Sequence, residues 1–331
     1  MPATRSIDLL IAAARLYYEE GRSQRGVAEA LGISESSVSR TLAAAREAGV
    51  VRILIHDPRV QVDRVPQLEA RLQRTFGLAG AWVGTGAAGL GPLEVVAKLG
   101  AQLFADRLSS MRRVGLSWGT TIGLLVEAIQ PQPAAPDLEL LPLVGGMSAL
   151  DTAPSGTTSL STLGQKLGAR ARRIDAPAIV ESPETCAAIR RESTVRAALE
   201  RATTVDTAWA GIGAVGVPGG SSEQLLAAMR LSRAELESVR ASDPAGDFCG
   251  RFFDDAGVPL AGPTANRVIG VDFDDLRRIP TVVGLAGGVG KARGVVAALR
   301  SGVVDTVVLD AELAAEVLRR QASAPDGGSS R

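Results

Sequence analysis

Over residues 6–20 the apolar positions Ile7, Leu10, Ile11, Ala14 and Tyr18 recur at helical intervals and share one face. Gly21 breaks the pattern. Ser23 is placed to cap a short helix, Gln24 to Leu31, and Gly32-Ile33-Ser34 makes a turn. Ser34 then caps a third helix, Glu35 to Ala48, which Gly49 stops. Helix, short helix, glycine turn and longer helix at this spacing predict a helix-turn-helix. Ala28, Leu31, Ile33, Val38 and Leu42 would form its small core. The β-rich run Val50 to Ile55 follows and is expected to form one strand of a wing. His56-Asp57-Pro58 ends it.

Residues 59–76 carry Val65, Leu68, Leu72 and Phe76 on one face, which predicts a linker helix within 58–77. From Leu78 the pattern changes to short apolar runs alternating with helical periodicity. That alternation predicts βαβ units and a mostly parallel, Rossmann-like sheet. Strands are expected at Ala81–Val83, Val114–Trp118, Leu138–Leu143, Arg173–Ile174, Thr207–Ala210, Val268–Val271, Thr281–Leu285 and Thr306–Leu309. Helices are expected at Leu93–Leu108, Thr120–Ile129, Leu160–Ala171, Pro183–Arg190, Ser193–Arg201, Ser221–Leu231, Arg233–Ala241, Asp274–Arg278, Arg293–Ser301 and Ala311–Gln321. The domains so defined are a helix-turn-helix over 1–57, the linker helix, an α/β domain over 78–321 and a Gly/Ser-rich disordered tail over 322–331.

Composition narrows the chemistry. The 331 residues are 46% hydrophobic and carry no formal net charge, so any DNA contact must be local rather than a whole-chain field. Cys186 and Cys249 are too few for a disulfide framework or a zinc site, which points to a reduced, cytoplasmic setting. With His56 the only histidine, Ser-His-Asp and Cys-His catalysis have little support, and no metal site or cofactor is expected. No signal-peptide core and no apolar run of membrane-spanning length stands out, so no membrane partner is expected.

The outward face of the third predicted helix carries Glu35, Ser36, Ser37, Ser39 and Arg40, with Ser34, Ser23 and Gln24 at the two helix starts. Hydroxyls and an arginine suit phosphates and base edges of a major groove. Residues 1–60 hold eight arginines against seven acids, so the module is only weakly basic. Two modules in an oligomer would be needed for useful affinity.

In an open parallel sheet, ligands bind beyond the carboxyl ends of strands. Four predicted strand ends stop in glycine: Gly119, Gly145-Gly146, Gly211-Ile212-Gly213 and Gly287-Gly288. Thr120 and Thr121 add hydroxyls beside a helix start, and Lys291 adds a charge beside another. Lys291 is one of three lysines; the other 33 basic residues are arginines. Trp118 stands beside this crevice. Asp247 and Asp254 lie in a loop-like stretch around Phe248 to Phe253, where a carboxylate can accept bonds from sugar hydroxyls or simply close a turn.

The same residues carry a resemblance. Tyr17-Tyr18-Glu19-Glu20-Gly21-Arg22-Ser23-Gln24, Leu31-Gly32-Ile33-Ser34 and Val38-Ser39-Arg40 recur in order. So do Ser117-Trp118-Gly119-Thr120-Thr121, Gly145-Gly146, Gly211-Ile212-Gly213, Phe253-Asp254-Asp255-Ala256-Gly257, and Gly287-Gly288 with Lys291. Together they resemble the SorC/DeoR-type, or sugar-binding-domain, family of bacterial transcriptional regulators over nearly all of residues 5–320. The resemblance implies an effector domain related to sugar-phosphate isomerases that binds a sugar or sugar phosphate without turning it over. It also implies operator DNA as partner and a homodimer or homotetramer. The Gly119-Thr120-Thr121 and Gly287-Gly288…Lys291 segments match those that hold an effector phosphate. Val144 stands where some relatives have a basic residue, leaving Lys291 and the helix starts to hold any phosphate. An isomerase- or deaminase-like enzyme is the alternative, with acid/base work left to Asp or Glu.

Overall fold

The computed structural model describes residues 6–51, 62–86, 89–132, 135–147, 156–218 and 220–323. They fall into two compact units, divided at Pro58.

The first unit is the expected helix-turn-helix. Its helices run Ile7–Ala14, Gln24–Leu31 and Glu35–Glu47, and the first continues as a π-helical segment, Arg15–Glu19. Ser23 accepts a hydrogen bond from the Gly26 amide and Ser34 from the Ser37 amide, so both serines cap as the spacing predicts. Ala28, Val38 and Leu42 pack with Ala13 and Val27, and Leu31 and Ile33 close over them. The first helix is turned from its expected face. Leu10, Ala13 and Ala14 are buried, whereas Ile7, Ile11 and Tyr18 stay exposed. Leu10, Ala13, Ala14 and Tyr17 also fit helical spacing, and small alanines allow the close approach that Ile11 would block. Of the expected wing strand only Val50 and Val51 are described; the rest of it and His56 lie outside the described residues.

The second unit is built on an eight-stranded sheet. In chain order its strands are β1 (Val62–Arg64), β2 (Gly80–Gly86), β3 (Arg113–Leu116), β4 (Glu139–Pro142), β5 (Arg170–Ala171), β6 (Thr207–Gly211), then, after the hairpin strands β7 (Gly246–Phe248) and β8 (Arg251–Phe253), β9 (Thr281–Ala286) and β10 (Thr306–Asp310). Spatially they run β1-β2-β10-β9-β6-β3-β4-β5. All neighbours are parallel except β1, which runs antiparallel to β2 at one edge. Side chains alternate between two cores, as a sheet covered on both faces requires. Ala208, Ala210, Val282, Val307 and Leu309 face the helices Pro66–Phe76, Ala292–Arg300 and Ala311–Ser323. Trp209, Val283, Leu285 and Val308 face Pro92–Arg107, Thr120–Ala128 and Gly156–Leu167.

Several boundaries move from their expected places. The stretch expected as a separate linker belongs to the larger unit: β1 pairs with β2, and Leu72 of Pro66–Phe76 is fully buried in the sheet core. The helix expected through Ala171 ends at Leu167, Gly168 turns the chain with φ +60, and strand pairing sits at Arg170–Ala171 rather than Arg173–Ile174. Val268–Val271 makes only isolated bridges, to Val144 and Ile179. The last helix runs on through Ser323, into the expected tail. The loop-like stretch around Asp247 is an antiparallel hairpin. Its two turn residues, Cys249 and Gly250, both have positive φ, and a cysteine in that role hid the turn from the sequence.

Candidate effector site

The strand order dictates where a ligand fits. After β3 the chain proceeds to β4 and β5 on one side; after β6 it proceeds to β9 and β10 on the other. Connections leaving β3 and β6 therefore diverge, and a crevice opens beyond their carboxyl ends, the switch point where open α/β sheets bind ligands. A cavity of about 180 Å³ lies there. Ser117 to Thr121 line it after β3, Gly211 to Gly213 after β6, and Lys291 after β9.

Two helices start at this cavity, Thr120–Ala128 and Ser221–Ala228. Each is preceded by glycine, Gly119 or Gly220, so neither has a side-chain cap. Their first amides are free of intrahelical partners and carry the positive end of the helix dipole. Gly119 has φ +115, a conformation that costs a side-chain-bearing residue energy, and it swings the chain sharply from strand into helix. At the far end of Thr120–Ala128, Lys166 Nζ donates to the carbonyls of Val126, Glu127 and Ile129 at 2.8, 2.7 and 2.8 Å.

The hairpin supplies the acidic side. Asp247 is buried, and its Oδ1 accepts a 2.6 Å hydrogen bond from Ser222 Oγ. Burial pushes its carboxyl up; the Ser222 bond, the Lys291 charge and a Gly250 backbone bond oppose this. Lys291 Nζ donates to the Ile212 carbonyl at 3.3 Å. Burial holds its ammonium below the ordinary lysine value, with Asp247 pulling it back up. Burial and the Asp247 charge also keep the Cys249 thiol protonated. The cavity thus offers one ammonium and two helix starts to an anion, and one carboxylate to hydroxyl groups.

Of the expected effector residues, the structure gathers Gly119, Thr120, Thr121, Gly211, Gly213, Asp247 and Lys291 at the cavity. The other five serve elsewhere. Gly145 and Gly146 donate to the Ile269 and Ala176 carbonyls and border a smaller neighbouring hollow that shares Ser117 and Trp118. Gly287 packs against the Pro92 backbone, and the Gly288 amide donates to Asp310 at 2.7 Å. Asp254 Oδ1 accepts from the Ala256 and Val258 amides at 2.9 Å each, closing a turn. Leu93, Ser221, Cys249 and Gly250 line the cavity without having been singled out. Ser221 left a readable signal: Gly220-Ser221-Ser222 repeats the pattern of Gly119-Thr120-Thr121.

The helix-turn-helix places its expected DNA-contact groups on the surface. Ser23, Gln24, Ser34, Ser36, Ser39 and Arg40 are exposed, and Ser37 is half-buried. The hydroxyls are not equivalent. Ser34 Oγ donates to Ser37 Oγ at 2.9 Å and bonds Ser36 Oγ at 3.1 Å, so this trio is partly satisfied internally.

A helix-turn-helix carried on one chain with a ligand crevice at an α/β switch point defines a ligand-responsive DNA-binding regulator. Comparison with known proteins agrees. Residues 60–319 match the putative sugar-binding domain family and residues 4–53 a homeodomain-like domain. The chain belongs to that sugar-binding-domain family, the SorC/DeoR-type transcriptional regulators. It is 27% identical over 304 residues to the deoxyribonucleoside regulator of Bacillus subtilis, covering 91% of this chain and 94% of that one. The full-length sorbitol operon regulator SorC of Klebsiella pneumoniae superposes with a TM-score of 0.70 at 26% identity, covering 95% of this chain and all of SorC. A DeoR family regulator from Listeria monocytogenes gives 0.68 at 29% identity, covering 76% of this chain and 98% of that one. Among the described residues no helix is long and apolar enough to cross a membrane.

Proposed function

We propose that this regulator holds a sugar or sugar phosphate in the crevice beyond β3 and β6, and that occupancy sets its affinity for operator DNA. The observation that carries the reading is the convergence of Lys291, two glycine-preceded helix starts and buried Asp247 on one cavity. Its 180 Å³ falls below the roughly 300–1,000 Å³ of drug-sized pockets, which favours a monosaccharide-sized ligand. The ammonium and amides suit a phosphate, and Asp247 suits the hydroxyls. Relatives named for sorbitol and deoxyribonucleoside regulation support a small polyol or sugar effector.

The effector is bound rather than turned over. No histidine stands among the described residues that line the cavity, so acid/base chemistry there would fall on Asp247 and Lys291. A helix-turn-helix makes few phosphate contacts, so the protein acts as a homodimer or homotetramer, in the cytoplasm where DNA is found.

A thermal-shift screen against pentoses, hexoses, polyols and their phosphates tests the site. A ligand at a hundredfold excess over its Kd stabilises the protein by about 2.7 kcal/mol. A gel-shift on the chain's own upstream DNA, with and without that ligand, tests the coupling, which is expected at about 1–3 kcal/mol. Equal DNA affinity in both arms would sink the proposal.

A further inference from the structure

The recognition helix carries a short readable code, and this inference rests on the DNA-binding reading above. The buried side of Glu35–Glu47 consists of Val38, Thr41, Leu42 and Ala45. Opposite it, at helical spacing, stand Ser36, Ser39, Arg40 and Ala43. Three of these are small, so the helix backbone can sit deep against base edges, with one long side chain reaching ahead.

Arg40 differs from the described arginines that precede the turn. Arg15, Arg22 and Arg25 each pair with a glutamate, Glu19, Glu20 and Glu29. Arg40 has no carboxylate partner among the described residues. Its Nε instead donates to the Ser36 carbonyl at 3.1 Å, one turn back. That bond fixes the direction of the guanidinium and leaves both terminal nitrogens unspent. Two parallel donors in a fixed fork match the O6 and N7 acceptors of guanine.

Ala43 lies three residues further on the same face and is half-buried, its methyl partly presented. Neighbouring hydroxyls are committed elsewhere: Thr41 Oγ1 donates to the Ser37 carbonyl at 2.7 Å, and Ser37 shares a hydrogen with Ser34. An apolar methyl in a row of polar groups suits the one apolar mark in the major groove, the C5 methyl of thymine.

We propose that Arg40 reads a guanine and Ala43 a thymine methyl in each half-site. Three helical residues rise about 4.5 Å, against about 3.4 Å per base pair, so the two bases lie within about two base pairs of each other. Ser36 and Ser39 flank this pair and contact either bases or phosphates.

The test uses the full chain and selection from a randomised duplex pool, followed by anisotropy titration of the selected site. Replacing the selected guanine with 7-deazaguanine, which lacks N7, is expected to weaken binding about tenfold or more in the wild type and not in Arg40→Ala. Replacing the neighbouring thymine with uracil, which lacks the methyl, is expected to weaken it several-fold in the wild type and not in Ala43→Ser. Circular dichroism checks that both variants are folded. No enriched sequence at all overturns DNA binding itself. An enriched site without guanine, or one indifferent to uracil, overturns the code while leaving DNA binding intact.

Discussion

Ser222 donates a 2.6 Å hydrogen bond to Asp247, and both side chains are buried beside the candidate effector cavity. The bond depends on a third residue, because a Cβ at Gly213 would overlap the Asp247 carboxylate and come within 2.5 Å of Ser222 Oγ. Gly213→Ala is therefore expected to destabilise the protein by about 1–3 kcal/mol, the usual cost of overpacking. It should also displace the hairpin that carries Asp247 into the cavity. Urea unfolding checks the first effect, and an unchanged midpoint would mean the hairpin moves aside without strain.

A second prediction concerns Lys166, whose ammonium closes the carbonyl end of Thr120–Ala128. An ammonium carries three N–H groups on one atom, and these reach three carbonyls at 2.7–2.8 Å; a planar guanidinium cannot reproduce that convergence. Lys166→Met is expected to cost about 1–3 kcal/mol, chiefly through the part-buried Val126 and Ile129 carbonyls left without a donor. Lys166→Arg should recover only part of it in the same unfolding assay. Full recovery by arginine would show that charge near the helix end, rather than three directed bonds, is what matters.

Lys166 also marks what the sequence could not separate. Scarcity of lysine drew attention to Lys291 as a ligand-binding group, yet Lys166 is equally scarce and closes a helix end. Periodicity exposed the central strands because their residues are buried on both faces, as at Ala208-Trp209-Ala210. It missed β1 and the β7–β8 hairpin, which are too short, at three residues each, to set up a pattern. Glycine at strand ends pointed to the cavity but overcounted its lining. Gly119 and Gly213 serve the cavity, whereas Gly145 and Gly287 serve close backbone packing that only the fold reveals.

Acid stability should depend on Glu235. It accepts a 2.7 Å hydrogen bond from Arg267, a buried arginine, and its amide is capped by Ser232. The Arg267 bond, chiefly, lowers its pKa from the ordinary 4.5 to about 2. A carboxyl with a depressed folded pKa stabilises the fold above its unfolded value, and that contribution is lost as pH falls from about 4.5 towards about 2. Glu235→Gln keeps the backbone bond to Ser232 but removes the charge. Its unfolding midpoint is expected to lie below the wild type at pH 6 and to converge with it by pH 2–3. A constant gap across that range would place the acid sensitivity elsewhere.

The last prediction separates charge from shape in the effector cavity. Among the described residues, Lys291 is the one cationic side chain lining it, and Asp247 the one carboxylate. A phosphate there gains the ammonium and faces the carboxylate; a neutral sugar gains little from the ammonium and uses the carboxylate as an acceptor. Lys291→Met should therefore weaken the best sugar phosphate of the thermal-shift panel by about tenfold or more, roughly 1.4 kcal/mol. It should leave the dephosphorylated parent within about twofold, since no net charge is at stake. Asp247→Asn should move the two ligands the opposite way, because it removes a repulsion from the phosphate and an anionic acceptor from the hydroxyls. Calorimetric titration of both ligands against both variants checks this. If Lys291→Met weakens the neutral parent as much as the phosphate, Lys291 shapes the cavity without sensing charge, and the effector is an uncharged sugar or polyol.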